Sequence, residues 1–380
     1  MKKEEIKLKP LLKYPGGKSS ELIWIIDNKP EEIENYIEPF VGGGAVYFAI
    51  DAKKYYINDI SKELILLYRF VKSKSQAFFD ELNNTVINNW NTLTDIFSTQ
   101  ELIDLYVDFR SDNNISLYEK TIENLINKAI PEIPMFKIKD FHSFKLFLKD
   151  SLLSKFKLIY KNEIKKNEKL DNLGIKNNLE AGVKAAYYTY IRNIYNNPEI
   201  FNKLSKQRQA AIYLFIREYC YSGMFRFNSD GGFNVPYGGI SYNKKTLASK
   251  EKYYKSKKLL ERLKNTEIYE NDFMEFISSL SINKNDFMFL DPPYDTIFSE
   301  YDKTSFGKED QMRLANFLIN ECTCNFMLVI KETPFIKSLY ENKGLNIVRN
   351  VKKYSVSFMD RNEKEVIHLT ITNYKRGESL

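Results

Sequence analysis

Residues 287–290 read FMFL, and the next four, DPPY, stop the run at once. A wholly apolar run of four residues bounded by a turn signal reads as a buried strand of a parallel sheet, and the two prolines cannot continue it. The chain is therefore expected in the α/β class. Asp291 is then set just past the C-terminal end of a buried strand, the edge where open α/β sheets place their ligand sites.

The remaining chain supports a sheet that is interrupted and resumed. LKYPGGKSS at 12–20 reads as a glycine turn before an amphipathic helix, YIEPFVGGGAVYFAI at 36–50 as a strand with a glycine-rich turn into a second helix, and KYYINDIS at 54–61 as a strand ending in Asp59. From 73 to 186 the pattern changes to Lys- and Asn-rich amphipathic helices. A helix, RQAAIYLFIREYC, and a loop-rich patch, YSGMFRFNSDGGFNVPYGG, follow within 187–262, and strand-like runs return in FMFL, FMLVI, VKKYSVSF and VIHLTITNY. The expected organisation is a sheet domain in two parts, 1–72 and 263–380, with a helical insertion of unknown role at 73–186 and a loop-bearing segment at 187–262.

Composition narrows the class without naming a function. With 380 residues, 43% hydrophobic and 28% charged, the chain is long enough for two domains and reads as an ordinary soluble protein. The net charge of +7 favours an anionic partner, although A+T-rich coding also yields such a Lys-, Asn-, Ile-, Tyr- and Phe-rich mixture. Three cysteines and two histidines provide neither a disulfide framework nor a zinc spacing, so Cys220, Cys322 and Cys324 are expected in the core. The N-terminus lacks an apolar leader and no run reaches membrane-spanning length, which points to the cytoplasm. Residues 137–169 carry ten lysines against four acids, either a solvated helix face or one that touches phosphates.

Gly42, Gly43 and Gly44 stand where a strand hands over to a helix, so the backbone can turn tightly and let a ligand approach the free N–H groups of the helix start. A dinucleotide fingerprint would have a small residue at 47, where this chain has Tyr47. Asp59, 17 residues beyond Gly42, occupies the position from which a carboxylate takes ribose hydroxyls. Together with the Asp291 corner, these features predict a mononucleotide-type site.

LKYPGGK, EPFVGGGAV, INDI, YSGMFRFNSDGGFNVPYGG, DPPY and ITNY occur in the order found in Dam-type, D12-class DNA adenine-N6 methyltransferases, which the chain resembles over about 10–72 and 187–375. The resemblance implies a Rossmann-like methyltransferase sheet with a helical DNA-recognition domain at 187–262 and an extra helical insertion. Its cofactor would be S-adenosylmethionine, and its substrate double-stranded DNA at a short site, with GATC the expected sequence. A cognate restriction endonuclease is a further implied partner, and the enzyme would act as a monomer or transient dimer on DNA, associated with the nucleoid.

The same resemblance assigns roles. Asp291 and the carbonyl of Pro292 would accept the two N6 hydrogens of an extruded adenine, Pro293 would offer no competing donor, and Tyr294 would stack on the base. Tyr14, Lys18, Phe40, Gly42, Gly44, Asp59, Asp272 and Phe273, with Asp291, would surround the cofactor, although Tyr14 stands where the family often has Trp. A helix N-cap is the plainer role for Asp272. Lys13, Tyr221, Ser222, Met224, Arg226, Asn234 and Pro236 would meet DNA. Arg226 would read guanine, Met224 replaces a common Leu, and Ser222 replaces the usual Asn. YSGMFRF also reads as a packed hairpin. Other readings remain open: N4-cytosine methylation, RNA or protein amine methylation, and a DNA-binding protein with a decayed transferase site.

Overall fold

Among the described residues, seven strands form one sheet: β1 (Asn35–Glu38), β2 (Lys54–Asn58), β3 (Thr266–Tyr269), β4 (Phe287–Leu290), β5 (Asn325–Lys331), β6 (Asn346–Lys353) and β7 (Glu365–Thr372). Their order is β3-β2-β1-β4-β5-β7-β6. Strands β1 to β5 pair in parallel, and β7 runs antiparallel to both β5 and β6. The chain builds outward from β1 through β2 and β3, then adds β4 and β5 on the other flank. Such a reversal opens a crevice beyond the carboxyl ends of the two central strands. Glu38 closes β1 there, and Asp291 directly follows β4. The computed structural model describes residues 8–14, 16–97, 99–129, 141–294, 306–353 and 365–375.

The burial of each strand follows its sequence. All four residues of β4 are buried, as are the five central residues of β5, because both strands have neighbours on each side and helices against their faces. Ile37, Met288, Leu290, Phe326 and Leu328 meet Phe273, Phe276 and Leu314 in one core. Strand β3 escaped the sequence reading because it is an edge strand in which only Thr266 is buried, so it carries no apolar run. The first three residues of the expected strand VKKYSVSF end a β6 that starts at Asn346; residues 354–358 lie outside the described residues. Cys220 and Cys324 are buried and Cys322 is half-buried, all as free thiols.

The chain divides into two compact units, one comprising 1–73, 227–231 and 254–380, the other 74–226 and 232–253. The expected boundary at 186/187 falls inside the unbroken helix Asn172–Asn196, and that at 262/263 inside the helix Lys257–Lys264. The first of these helices starts cleanly because the Asp171 side chain accepts from the Gly174 N–H at 2.7 Å. Among the described residues, no helix is long and apolar enough to cross a membrane.

Candidate active site

The corner after β4 is tied to the N-terminal segment. Lys18, only 2% exposed, donates from Nζ to Asp291 Oδ1 at 2.6 Å, to the Tyr294 hydroxyl at 2.9 Å and to the Gly16 carbonyl at 3.1 Å. A buried ammonium requires such an anion, and Asp291 provides it. The side chain expected to contact cofactor is thus also hydrogen-bonded to the carboxylate. Pro292 is buried, and the carbonyl of Pro293 accepts from Gln311 Nε2 at 3.0 Å. Tyr294 packs edge-on against His368, with ring centroids 5.3 Å apart. The result is a corner in which Lys18 holds the Asp291 carboxylate and Gln311 holds the Pro293 carbonyl, just past the end of β4.

The glycine turn differs from expectation in two respects. No regular helix follows it: residues 41–50 form successive turns in which Gly44 N–H donates to Val41 O, Phe48 N–H to Gly44 O and Ala49 N–H to Val46 O. Gly42 and Gly44 have φ of +48° and +81°, a left-handed conformation that breaks helical geometry. The close approach is also made by the chain itself. A Cβ on Gly42 would lie 2.9 Å from the Tyr14 ring, and one on Gly43 would lie 2.6 Å from the Leu12 carbonyl oxygen. Asp59 stabilises the turn by accepting from the Gly42 N–H at 3.0 Å and the Ser61 N–H at 2.9 Å.

Glu38 was missed by the sequence reading, although it sits in the quoted EPFVGGG. It is 2% exposed, and the Tyr36 hydroxyl donates to its Oε2 at 2.8 Å. Burial holds its carboxyl well above the usual carboxylate range; the negative charges of Asp291 and Asp59 push the same way, and the Tyr36 hydrogen bond pulls back. An acid closing a short strand beside a glycine turn was the available signal.

Beyond the turn, Phe40, Phe273 and Phe306 form an aromatic cluster with centroids 5.3–5.4 Å apart. Asp272 is the N-cap of the helix Phe273–Ser278, its Oδ1 accepting from the Met274 N–H at 2.9 Å. The same oxygen accepts from Arg313 Nη2 at 2.7 Å, and the Arg313 guanidinium lies 5.0 Å from the Phe273 ring centroid. Arg313 and Phe306 carried no recognisable motif. Lys13 is exposed in the segment that leads to Tyr14.

The other expected residues belong to the second unit and line a loop. Its two limbs pair through Cys220 and Tyr237, through Tyr221 N–H donating to Pro236 O, and through Asn234 N–H donating to Arg226 O. Tyr221, Ser222, Arg226 and Pro236 are exposed, whereas Gly223, Phe233 and Val235 are buried. Ser222 has φ +54°, a conformation that Gly or Asn adopts more readily. Arg226 Nη2 donates to the Asn234 carbonyl at 2.8 Å and to its Oδ1 at 2.9 Å. One face of the helix Asn172–Asn196 grips the returning limb. Lys184 donates to Asn243 O at 2.6 Å, Tyr188 and Arg192 donate to Val235 O at 2.9 and 3.0 Å, and Asn196 donates to Phe233 O at 2.9 Å. These four residues are spaced by one helical turn each.

The chain matches the D12 class N6 adenine-specific DNA methyltransferase family over residues 14–135 and 148–356. It belongs to that family. The enzyme is 26% identical to the type II methyltransferase M.CviBI of Paramecium bursaria Chlorella virus NC1A, across 97% of this chain and 100% of that one. It is also 26% identical to the type II methyltransferase M.MjaIII of Methanocaldococcus jannaschii, with 97% and 100% covered. A DNA adenine methylase of Vibrio cholerae is 21% identical over 98% of this chain and 99% of its own. The family pattern runs through most of 73–186, so that stretch is not foreign to the adenine methyltransferase, contrary to the motif-based expectation. Its helices carry few of the glycine- and proline-marked signatures by which a motif is seen.

Family membership implies S-adenosylmethionine as methyl donor, and the residues present fit it. Aromatic faces at Phe40 and Phe273 beside the Asp272 carboxylate suit a purine, and a carboxylate oxygen that accepts one backbone N–H, as each oxygen of Asp59 does, can accept a hydroxyl as well.

Proposed function

We propose that this adenine-specific DNA methyltransferase modifies N6 of an adenine extruded from a short duplex palindrome, GATC being the expected site. The reading fits a Rossmann-like methyltransferase sheet paired with a helical recognition unit. The observation that carries it is the Asp291 corner held by Lys18 at the switch point of the sheet. Adenine N6 is a poor nucleophile because its lone pair is delocalised into the ring. Asp291 and the Pro292 carbonyl accept its two hydrogens, which localises that lone pair, and Tyr294 offers a ring for the base to stack on. Asp59, Asp272, Phe40, Phe273 and Tyr14 would hold the cofactor, with Gly42 and Gly44 shaping the turn beside it. S-adenosylmethionine supplies an electrophilic methyl group. Sequencing of methylated positions in DNA exposed to the protein tests the reading, and methylation at cytosine N4 would overturn it.

Target choice rests on the exposed loop. Arg226 is proposed to read a guanine through its guanidinium fork, oriented by Asn234, with Tyr221, Ser222, Met224, Pro236 and the exposed Lys13 completing the contacts. Arg226→Ala is expected to lose about 1–3 kcal/mol of discrimination at one base pair. An equal loss on every duplex in a binding series would make this arginine a backbone contact instead. The relatives named as type II methyltransferases support a restriction endonuclease as functional partner. Protection of host DNA from a nuclease encoded nearby is the corresponding test.

The lysine-rich stretch is proposed to neutralise DNA phosphates. Lys145 and Lys149 are engaged by Asn127 and Glu123, whereas Lys157, Lys161 and Lys165 form an exposed row at four-residue spacing on the helix Phe141–Lys166. Replacing that row with glutamine is expected to flatten the slope of log affinity against log salt by about 2–3 units, about 0.9 for each phosphate that is no longer neutralised. An unchanged slope leaves the row as a solvated helix face.

A further inference from the structure

Arg217, on the last turn of the helix Lys206–Tyr219, is 2% exposed and lies under the recognition loop. Its Nη1 donates to the Met224 carbonyl at 3.1 Å and its Nη2 to the Gly223 carbonyl at 3.3 Å. The guanidinium carbon sits 4.0 Å from the centroid of the Phe225 ring and 5.6 Å from that of Phe233. Two consecutive peptide oxygens and an aromatic face thus answer a buried positive charge. The neighbouring Glu218 is engaged by Lys245 at 2.9 Å and Lys250 at 3.0 Å.

A guanidinium is costly to bury, and a brace needing only volume would be met by an apolar side chain. What arginine adds is a planar fork that fixes two acceptors at once. The first of those acceptors, Gly223, directly follows Ser222, whose φ of +54° is strained for a residue with a side chain. Such a backbone persists only when its surroundings over-determine it. In extended backbone, successive side chains alternate in direction. With the Phe225 ring drawn down onto Arg217, this alternation assigns Met224 and Arg226 to the opposite side, in keeping with the exposure of Arg226.

We propose that Arg217 is a positioning residue for target-base discrimination: by pinning the Gly223 and Met224 carbonyls and the Phe225 ring, it presents Met224 and Arg226 in a single register. The inference rests on the proposed reading of Arg226 as a base contact. It concerns the discrimination between sites and not the methyl-transfer chemistry.

The test uses the full-length enzyme with S-adenosylmethionine, its methylated sequence determined first, and a set of duplexes differing from that sequence by one base pair. Arg217→Met is expected to lower the ratio of kcat/KM for the cognate over the variant duplex by about tenfold or more at the base pair read by Arg226. S-adenosylmethionine affinity should stay within about twofold of the parent, because the residues assigned to the cofactor belong to the other unit. Arg217→Lys, which keeps the charge but loses the fork, should recover only part of the ratio. If Arg217→Met proves too unstable to assay, Arg217→Lys and Phe225→Leu are read in the same way. An unchanged ratio, or an equal slowing on all duplexes, makes Arg217 a structural brace and overturns the inference. Arg226→Ala run in parallel separates the two claims. Discrimination lost with Arg226→Ala but kept with Arg217→Met defeats the positioning role alone. Discrimination lost with Arg217→Met but kept with Arg226→Ala defeats the assignment of Arg226, and with it the inference in the form stated.

Discussion

Asp291→Ala is expected to slow methyl transfer by about 100-fold or more, the scale of losing a preorganised polar contact in a transition state. Much of the S-adenosylmethionine affinity should remain, since the aromatic cluster around Phe40 and Phe273 is untouched. The structure adds a second consequence. Lys18 is 2% exposed and loses its nearer counter-charge, keeping only Glu21 at 3.9 Å, so the variant should also unfold more easily, by up to about 3 kcal/mol on the scale of a broken buried ion pair. Adding Lys18→Met should return much of that stability and none of the activity. Single-turnover transfer and thermal unfolding of the single and double variants measure the two effects separately. Near-normal turnover by Asp291→Ala would sink the proposed chemistry.

A comparable effect on stability is expected from Gly44→Ala. The residue has φ +81°, and a Cβ there would lie 2.5 Å from the Tyr68 hydroxyl and 2.8 Å from the Phe48 ring. Tyr68 cannot easily yield, because it is fully buried and its hydroxyl donates to the Gly42 carbonyl at 3.1 Å. A left-handed alanine costs about 1–2 kcal/mol and an overpacked core about 1–3 kcal/mol, so a loss of roughly 2–5 kcal/mol is expected in denaturant unfolding. Gly16→Ala is the control. Its φ is +71°, but nothing lies within 4 Å of the added carbon, so only the backbone strain of about 1–2 kcal/mol should register. Equal losses in the two variants would mean that the Tyr68 hydroxyl moves aside without penalty.

The parts of this molecule legible in the sequence are those where one residue type is forced by local geometry. The apolar β4 stopped by Pro292 and Pro293 is such a case, and so is Asp59 just beyond β2. What was not legible depends on partners far away in the chain. Lys18 and Asp291 are 273 residues apart, and nothing near Lys18 announces that its role is to hold an acid. The glycines were read as space for a ligand, and the local sequence does not show that Tyr14 and the Leu12 carbonyl also lie where side chains at 42 and 43 would be. Arg217 reads locally as one more polar residue of the helix RQAAIYLFIREYC, and its stacking on the Phe225 ring and bonds to two loop carbonyls distinguish it. Strand β3 has one buried residue and so leaves no hydrophobic trace. The helices between 73 and 186 hid their family membership because helical packing tolerates many apolar combinations, while glycine turns tolerate few.

The row of Lys184, Tyr188, Arg192 and Asn196 makes its hydrogen bonds to the loop through main-chain groups: the peptide oxygens of Phe233, Val235 and Asn243, and the Phe233 N–H, which donates to Asn196 Oδ1 at 2.8 Å. These main-chain groups do not depend on side-chain identity, so the hydrogen bonds are indifferent to which side chains the loop displays at its exposed tip. Residues at the exposed tip can therefore be exchanged over evolutionary time with little penalty in folding. A lineage under pressure to mark a different DNA word could revise its reading head while keeping the mount.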